Sequence, residues 1–178
     1  GNSCSPGNAY SAFSVGAVEK AARGRVEVAF FSSGASLVFP GNTPNDLVIK
    51  PDVVAPGMDI YSCIPPDKRA GGVFEYSFMS GTSMAAPHVA GIVALMLQAN
   101  PGLTITQIEQ ALTSTATPLG SPHPNNDYGW GLVDAYNAVL AVGDFGALGG
   151  TVRATSGDPI SGATVSVAPH GGGAALTT

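Results

Sequence analysis

The chain has 178 residues, of which 44% are hydrophobic and only 11% charged, and it contains 24 glycines and 14 prolines. This length suits one medium domain, or one domain with part of another, and the composition indicates a compact, loop-rich fold. The formal net charge is −5, the pI is about 4.9, and no cluster of Lys or Arg is present, so the sequence predicts neither nucleic acid nor an anionic membrane as a partner.

Neither a membrane span nor a leader is predicted. The longest uninterrupted apolar stretch, near residues 92–97, is far shorter than the roughly 18 to 20 residues that a spanning helix needs. The first ten residues lack the basic and apolar segments of a signal peptide. Secretion stays open, because the chain can begin internally.

The first third of the chain predicts short strands separated by loops. Ser, Gly, Pro and Asn dominate residues 32–45, which indicates a surface loop. Runs of β-branched, aromatic or alternating residues predict strands within residues 12–18, 25–31, the two parts of 46–57 that Pro51 divides, and 58–66. Cys4 and Cys63 lack the spacing of a zinc or redox site, which leaves a disulfide and two buried free thiols as alternatives.

The second part of the chain predicts three helices. Residues 84–99 are apolar on nearly every side, which favours a helix that is buried all round. Thr104 and Gln107 form a capping-box pattern for a second helix that continues to about Thr113, and a third is predicted from about residue 133 to 142. Strands interleaved with such helices favour an α/β layered fold.

The character of the sequence changes after Gly143. Residues 143–150, GDFGALGG, have the composition of a linker, and residues 151–167 alternate apolar and polar residues around a Gly-Asp-Pro turn. We therefore predict one domain over residues 1–143 and, in 144–178, a linker with the first strands of a β-type domain that is too short to close its own core.

Ser83 is the first candidate for chemistry, because it lies at the start of the apolar helix after Gly81. Its backbone N–H and the helix dipole would point toward a ligand there, which suits a developing oxyanion. A nucleophilic serine also needs a general base and donors for the tetrahedral intermediate. The alternative is that Thr82 or Ser83 is merely the N-cap, which is commoner for an isolated Gly-Thr-Ser.

The surrounding sequence, SGTSMAAPHVAG at residues 80–91, resembles the nucleophile motif of subtilisin-like serine proteases almost position for position. Further similar segments follow the family's order from residue 1 to about 142: GN, SPGNAYSAFSVGAV, FSSGAS, KPDVVAPG and DYGWGLVDAYNAV. The resemblance implies the C-terminal part of a subtilisin-like three-layer domain built around a parallel sheet. The motif is not Gly-x-Ser-x-Gly, which disfavours a lipase-type hydrolase.

By this resemblance Ser83 is the nucleophile and Asn2 the side-chain donor to the oxyanion, beside the backbone N–H of Ser83. Asn2 could equally be an ordinary loop asparagine. In the family the catalytic Asp and His precede the oxyanion asparagine, so the resemblance implies that both lie on upstream sequence. The 178 residues alone are then expected to be inactive.

None of the histidines in the chain is predicted to be the base. His88 follows Ser83 by five residues, about 140° around and about 7.5 Å along a helix, and is predicted to face elsewhere as a packing residue. His123 and His170 are predicted to be solvated. Asp52 belongs to a segment that is structural in the family, and no catalytic motif includes Asp59, Asp127 or Asp134.

The resemblance also implies partners and a location. It implies polypeptide substrates, association with the upstream part of the same catalytic domain, no cofactor for the chemistry, and a secreted or cell-surface protein. Structural calcium is common in the family, but its ligands are not placed here. Residues 150–167 resemble the start of a carboxypeptidase-regulatory-like β-sandwich, with a generic hairpin as the alternative. A catalytically dead relative that serves as a binding or scaffold module is the competing function, against which Ser83 and Asn2 argue.

Overall fold

The computed structural model describes residues 4–38, 47–66, 75–143 and 151–162, and the backbone of 166–167 and 176–177. The chain forms two compact units, Gly1–Asp144 and Phe145–Thr178. The described strands of the first unit are β1 (Val15–Lys20), β2 (Val26–Val28), β3 (Ala35–Leu37), β4 (Val48–Lys50), β5 (Val53–Pro56), β6 (Ile60–Ile64) and β7 (Glu75–Met79). Its described helices are α1 (Thr82–Ala99), α2 (Ile105–Ser114) and α3 (Ala135–Val142), so the predicted α/β class is confirmed.

The central sheet has the strand order β2-β1-β5. Strand β1 runs antiparallel to β2 and parallel to β5, with Val15 opposite Val53, and Leu132 adds a parallel bridge to Val54. The side chains of β5 from Val53 to Ala55 are fully buried. Burial on both faces is typical of a parallel strand covered on each side, and the apolar run in the sequence reflects it.

Helix α1 packs on β1, β5 and α3 through one stripe of side chains. The buried stripe consists of Ala85, Val89, Ile92 and Met96, spaced as one helical face. The prediction that α1 is buried on nearly every side is therefore wrong for this structure. The sheet and α3 cover one face, and apolar residues on the other faces, such as Leu95 at 50%, remain exposed.

By length and composition α1 also meets the requirements of a membrane-spanning helix, alone among the described residues, since it has 18 residues with a mean hydropathy of 1.3. The same properties are found in core helices of globular domains, and the packing of α1 on the central sheet is of that kind. The absence of a membrane span stays a prediction.

A buried ion pair precedes β5. Lys50 is 2% exposed, and its Nζ donates to the Ala12 carbonyl oxygen at 2.6 Å and to Asp52 Oδ2 at 2.7 Å. Asp52 also accepts from the backbone N–H of Ser14 at 2.6 Å and from its hydroxyl at 3.0 Å. These contacts fasten the chain before β1 to the start of β5 and give Asp52 a structural role.

Helices α2 and α3 begin where local side-chain chemistry satisfies their first N–H groups. The predicted capping box of α2 is confirmed, because Gln107 N donates to Thr104 Oγ1 at 3.3 Å and Thr104 N donates to Gln107 Oε1 at 2.8 Å. Asp134 caps α3 by accepting from Asn137 N at 2.9 Å. Asp134 therefore has a structural role that the sequence does not predict, and α3 begins two residues later than predicted.

Several strands differ from the sequence predictions. Strand β1 begins and ends later than residues 12–18, and β2 occupies only the middle of residues 25–31. Strand β3 lies inside the predicted loop of residues 32–45 and pairs antiparallel with β4, whereas residues 39–46 lie outside the described residues. Strand β7, which is not predicted from the sequence, pairs antiparallel with β6.

Both cysteines are exposed, and no disulfide joins Cys4 to Cys63. The disulfide alternative is therefore wrong, and in the other alternative the predicted burial of the two thiols is wrong. Strand β6 places Cys63 on the face of the β6–β7 pair that also carries Tyr61, Tyr76 and Phe78, whose rings lie with centroids 4.9 to 5.6 Å apart.

The second unit is described in part. Around Gly157, which has a φ of +94°, Ala154 N donates to Asp158 O at 2.8 Å, and Arg153 bridges antiparallel to Pro159. This is the turn that the Gly-Asp-Pro sequence predicts. Two short strands, Ser166–Val167 and Leu176–Thr177, pair antiparallel. The predicted linker over 144–150 lies outside the described residues, and the β-sandwich assignment stays a prediction.

Candidate active site

The turn that carries Ser83 is fixed to the end of β5. Strand β7 ends at Met79, and the chain turns through Gly81 into α1. The Gly81 N–H donates to the Gly57 carbonyl oxygen at 2.8 Å, and the Gly57 N–H donates to Val18 O at 3.0 Å. A Cβ at Gly57 would lie 2.6 Å from the Cβ of Ala17, so this close approach requires glycine. The start of α1 is thereby held against the central sheet.

Hydrogen bonds between Asp59 and Ser80 also fix this turn. The Asp59 N–H donates to Ser80 Oγ at 2.9 Å, and the Ser80 hydroxyl lies 3.3 Å from Asp59 Oδ1, to which it donates. Asp59 has a φ of +52°, a left-handed conformation that Asp tolerates better than most residues. The β5–β6 turn therefore braces the residues just before Ser83.

Ser83 is exposed at the first turn of α1. The N-cap is Gly81, with no side-chain hydrogen bond, so the interpretation of Thr82 or Ser83 as the cap is wrong. Within the described part of the chain, neither Ser83 Oγ nor the Ser83 backbone N–H makes a hydrogen bond, whereas Met84 N and Ala85 N donate to Gly81 O. A hydroxyl and an N–H without hydrogen-bond partners at a helix N-terminus can stabilise a negative charge that develops beside them.

Ser83 borders an open cleft of about 470 Å³. Its other walls are strand β6, Ser77 and Met79 of β7, and the first turns of α1. With 3.6 residues per turn, the α1 residues at the cleft span an arc of about 140°, in the order Ser83, Pro87, Met84 and His88. The buried stripe of α1 lies at about 180° to 240° from Ser83, so the cleft occupies the side of the helix away from the core.

His88 lies on the same cleft as Ser83, and it is exposed. The expectation that it faces elsewhere as a packing residue is therefore wrong. An offset of about 140° still keeps both side chains on the broad unburied side of α1, and helical side chains lean toward the N-terminus, where Ser83 lies. The ring Nδ1 is 2.9 Å from the Met84 carbonyl oxygen.

The other described candidate residues are not among those that line this cleft. His123 is exposed, as predicted, but its Nε2 lies 3.0 Å from the Trp130 carbonyl oxygen. Asp127 lies in the turn at Asn125, whose Oδ1 accepts from the Asp127 N–H at 3.0 Å. Asn2 and His170 lie outside the described residues, so the oxyanion role of Asn2 stays a prediction. Where the chain is described, the cleft contains one histidine and no carboxylate.

The glycine-rich turn before α3 has a packing role. Gly129 and Gly131 have φ values of +58° and +116°, and a Cβ on either would overlap backbone carbonyl groups of neighbouring segments. Close backbone packing therefore requires glycine at both positions of this turn. Among the described residues, no three His, Cys, Asp or Glu side chains are grouped as a metal site. The calcium expectation stays untested, since its ligands were not placed.

The sequence is similar to one protein family and to two proteins of Bacillus subtilis. Residues 2–131 match the model of the Peptidase_S8 family, described as the subtilase family. The chain is 45% identical over 114 residues to bacillopeptidase F of Bacillus subtilis (strain 168), covering 62% of this chain and 8% of that protein. It is 40% identical over 122 residues to the minor extracellular protease Vpr of the same organism, covering 65% of this chain and 14% of that protein.

A solved structure is also similar. Fervidolysin from Fervidobacterium pennivorans, a keratinolytic enzyme related to subtilisin, superposes with a TM-score of 0.58 at 28% sequence identity. The match covers 93% of this chain and 25% of fervidolysin. The chain thus spans a quarter or less of the length of each of these three proteins.

Proposed function

Because this chain belongs to the subtilase family, we propose that it is part of a serine endopeptidase in which Ser83 attacks the carbonyl carbon of a peptide bond. The observation that carries the proposal is the exposed Ser83 hydroxyl, which lies beside its own open N–H at the N-terminus of α1 and borders the cleft. A serine placed merely to cap the helix would use its hydroxyl on a helical N–H.

The proposed reaction proceeds through an acyl-enzyme. A general base removes the proton of Ser83 Oγ as the oxygen bonds to the substrate carbonyl carbon, and the carbonyl oxygen becomes the oxyanion. The Ser83 N–H and the side chain of Asn2 donate to that oxyanion. The protonated base then gives its proton to the leaving amine, and water releases the acyl group from Ser83 by the same steps. Loss of one oxyanion donor costs about 10²- to 10³-fold in kcat, a value that comes from a subtilisin.

The general base and its aspartate are supplied, in this proposal, by sequence upstream of Gly1. A base must come within roughly 2.6 to 3.2 Å of Ser83 Oγ, and where the chain is described no carboxylate lies in the cleft. Exposed apolar residues of α1 on both flanks of its buried stripe, such as Leu95 and Leu97, are of the kind that mark an interface. We infer that the upstream part of the same domain covers them, so that residues 1–178 alone do not hydrolyse peptides.

The remaining parts of the proposal concern the whole protein. It acts on polypeptides outside the cell or at its surface, as the name of the extracellular protease Vpr supports. It needs no cofactor for the chemistry, although structural calcium fits the family. The unit Phe145–Thr178 begins a carboxypeptidase-regulatory-like β-sandwich.

Hydrolysis of an unstructured polypeptide by the full-length protein tests this function. Ser83→Ala should lower kcat by about 10⁶-fold, the scale of losing a subtilisin nucleophile. Ser114→Ala, an exposed serine at the end of α2, is the matched control and should leave the rate unchanged. Full activity in Ser83→Ala contradicts the proposal. A correctly folded wild-type protein with no hydrolysis also contradicts it, in favour of the dead binding module.

A further inference from the structure

In the His88 ring, Nδ1 makes a hydrogen bond and Nε2 makes none among the described residues. A carbonyl oxygen only accepts, so the 2.9 Å contact between Nδ1 and Met84 O places the proton on Nδ1. In the neutral ring Nε2 then carries a lone pair and can only accept a hydrogen bond. Among the described residues Nε2 has no partner, and the ring is exposed at the cleft.

The wall of α1 that borders the cleft carries two polar groups, Ser83 Oγ and the His88 ring, with Met84 and Pro87 between them. A few placed polar groups in a largely apolar site fix the orientation of what binds there. We do not assign His88 as the base, because among the described residues its ring makes no hydrogen bond to Ser83 Oγ and its Nδ1 already contacts the Met84 carbonyl oxygen.

In the proposed function, the upstream segment that carries the base approaches Ser83 Oγ at this cleft, and we infer that it also covers the neighbouring His88 ring. Once the segment excludes water, an acceptor left without a donor costs free energy, so Nε2 requires a donor on the incoming segment. We propose that His88 is a positioning residue: its Nε2 accepts a hydrogen bond from an N–H or O–H of the upstream segment that carries the base, and so aligns the base with Ser83. This inference rests on the proposed function.

Three variants of the full-length protein separate this role from packing. Gln at position 88 can place an amide oxygen near the former Nε2, whereas Asn can only replace the Nδ1 donor to Met84, and Ala replaces neither. His88→Asn and His88→Ala should lower kcat about 2- to 10-fold at unchanged KM, the range of one net hydrogen bond. His88→Gln should recover most of the loss. Thermal unfolding of each variant identifies any loss of fold.

The outcomes distinguish the inference from the proposed function. If Ser83→Ala abolishes hydrolysis but His88→Asn has the wild-type kcat, the function stands and the His88 inference is overturned. Equal losses in His88→Gln and His88→Asn also overturn it, because the Nε2 position then does not matter. A measurement without substitution is the proton–nitrogen correlation spectrum of the histidines in the wild-type protein. It should show His88 with its proton on Nδ1, and a proton on Nε2 of the neutral ring would overturn the inference.

Discussion

Replacing Lys50 by Met should destabilise the protein strongly, because the substitution leaves the Asp52 carboxylate without its cation. Lys50 Nζ is bonded to Asp52 Oδ1 and Oδ2 at 3.0 and 2.7 Å and to Ala12 O at 2.6 Å. Breaking a buried pair costs about 3–5 kcal/mol. The Asp52 side chain is 20% exposed and keeps its bonds to Ser14, so we expect the lower end, about 3 kcal/mol.

For a domain of roughly 150–250 residues, a loss of about 3 kcal/mol lowers Tm by about 6–12 °C. The assay is thermal unfolding of the full-length protein in a Ser83→Ala background, which prevents self-digestion. Arg25→Met is the matched control, since Arg25 pairs with Glu27 at 3.0 Å with side chains 73% and 46% exposed. That pair is worth about 0–1 kcal/mol. Equal Tm shifts for Lys50→Met and Arg25→Met would refute the assignment of Lys50 as a buried anchor.

Three further substitutions test local features by thermal unfolding or kinetics. Thr104→Ala removes the capping box of α2 and should cost about 1 kcal/mol; no change in Tm would contradict the cap. Gly131→Ala should lower the free energy of unfolding more than Gly157→Ala does. Both substitutions carry the penalty of roughly 1–2 kcal/mol for a positive φ, but only the Cβ at position 131 would overlap backbone atoms, those of Thr117. Equal losses of stability would contradict the packing role of Gly131. Ser80→Ala should lower kcat roughly 2- to 10-fold, because it frees the turn before the nucleophile from β5–β6; an unchanged kcat would show that the brace is dispensable.

Features set by a few neighbouring residues were predictable from the sequence. The capping box of α2 is complete within four residues, and Pro51 separates β4 from β5 as expected. The position of Ser83 at the start of α1 also follows from the local pattern of a hydroxyl-rich turn before an apolar run.

Features set by contacts between distant segments were not predictable in the same way. Which face of α1 is buried depends on the sheet and α3, so its overall apolarity suggested burial all round. The shared cleft of Ser83 and His88 needs β6 as its opposite wall, which no helical spacing reveals. Strand β3 forms only because β4 offers it a partner.

The buried ion pair of Lys50 and Asp52 was not predicted, although the sequence contains an indication of it. Lys50 is the last residue of the otherwise apolar β4, a carboxylate follows two residues later, and a charge within such a segment indicates a buried partner.

In the proposed reaction Ser83 is the residue that receives the acyl group. The most direct test is to label the full-length protein with a fluorophosphonate and to map the modified residue by mass spectrometry of its peptides. We expect one adduct, on Ser83 Oγ, formed at a rate far above that of free serine. An adduct on a different residue, with Ser83 unmodified, would contradict the proposed reaction.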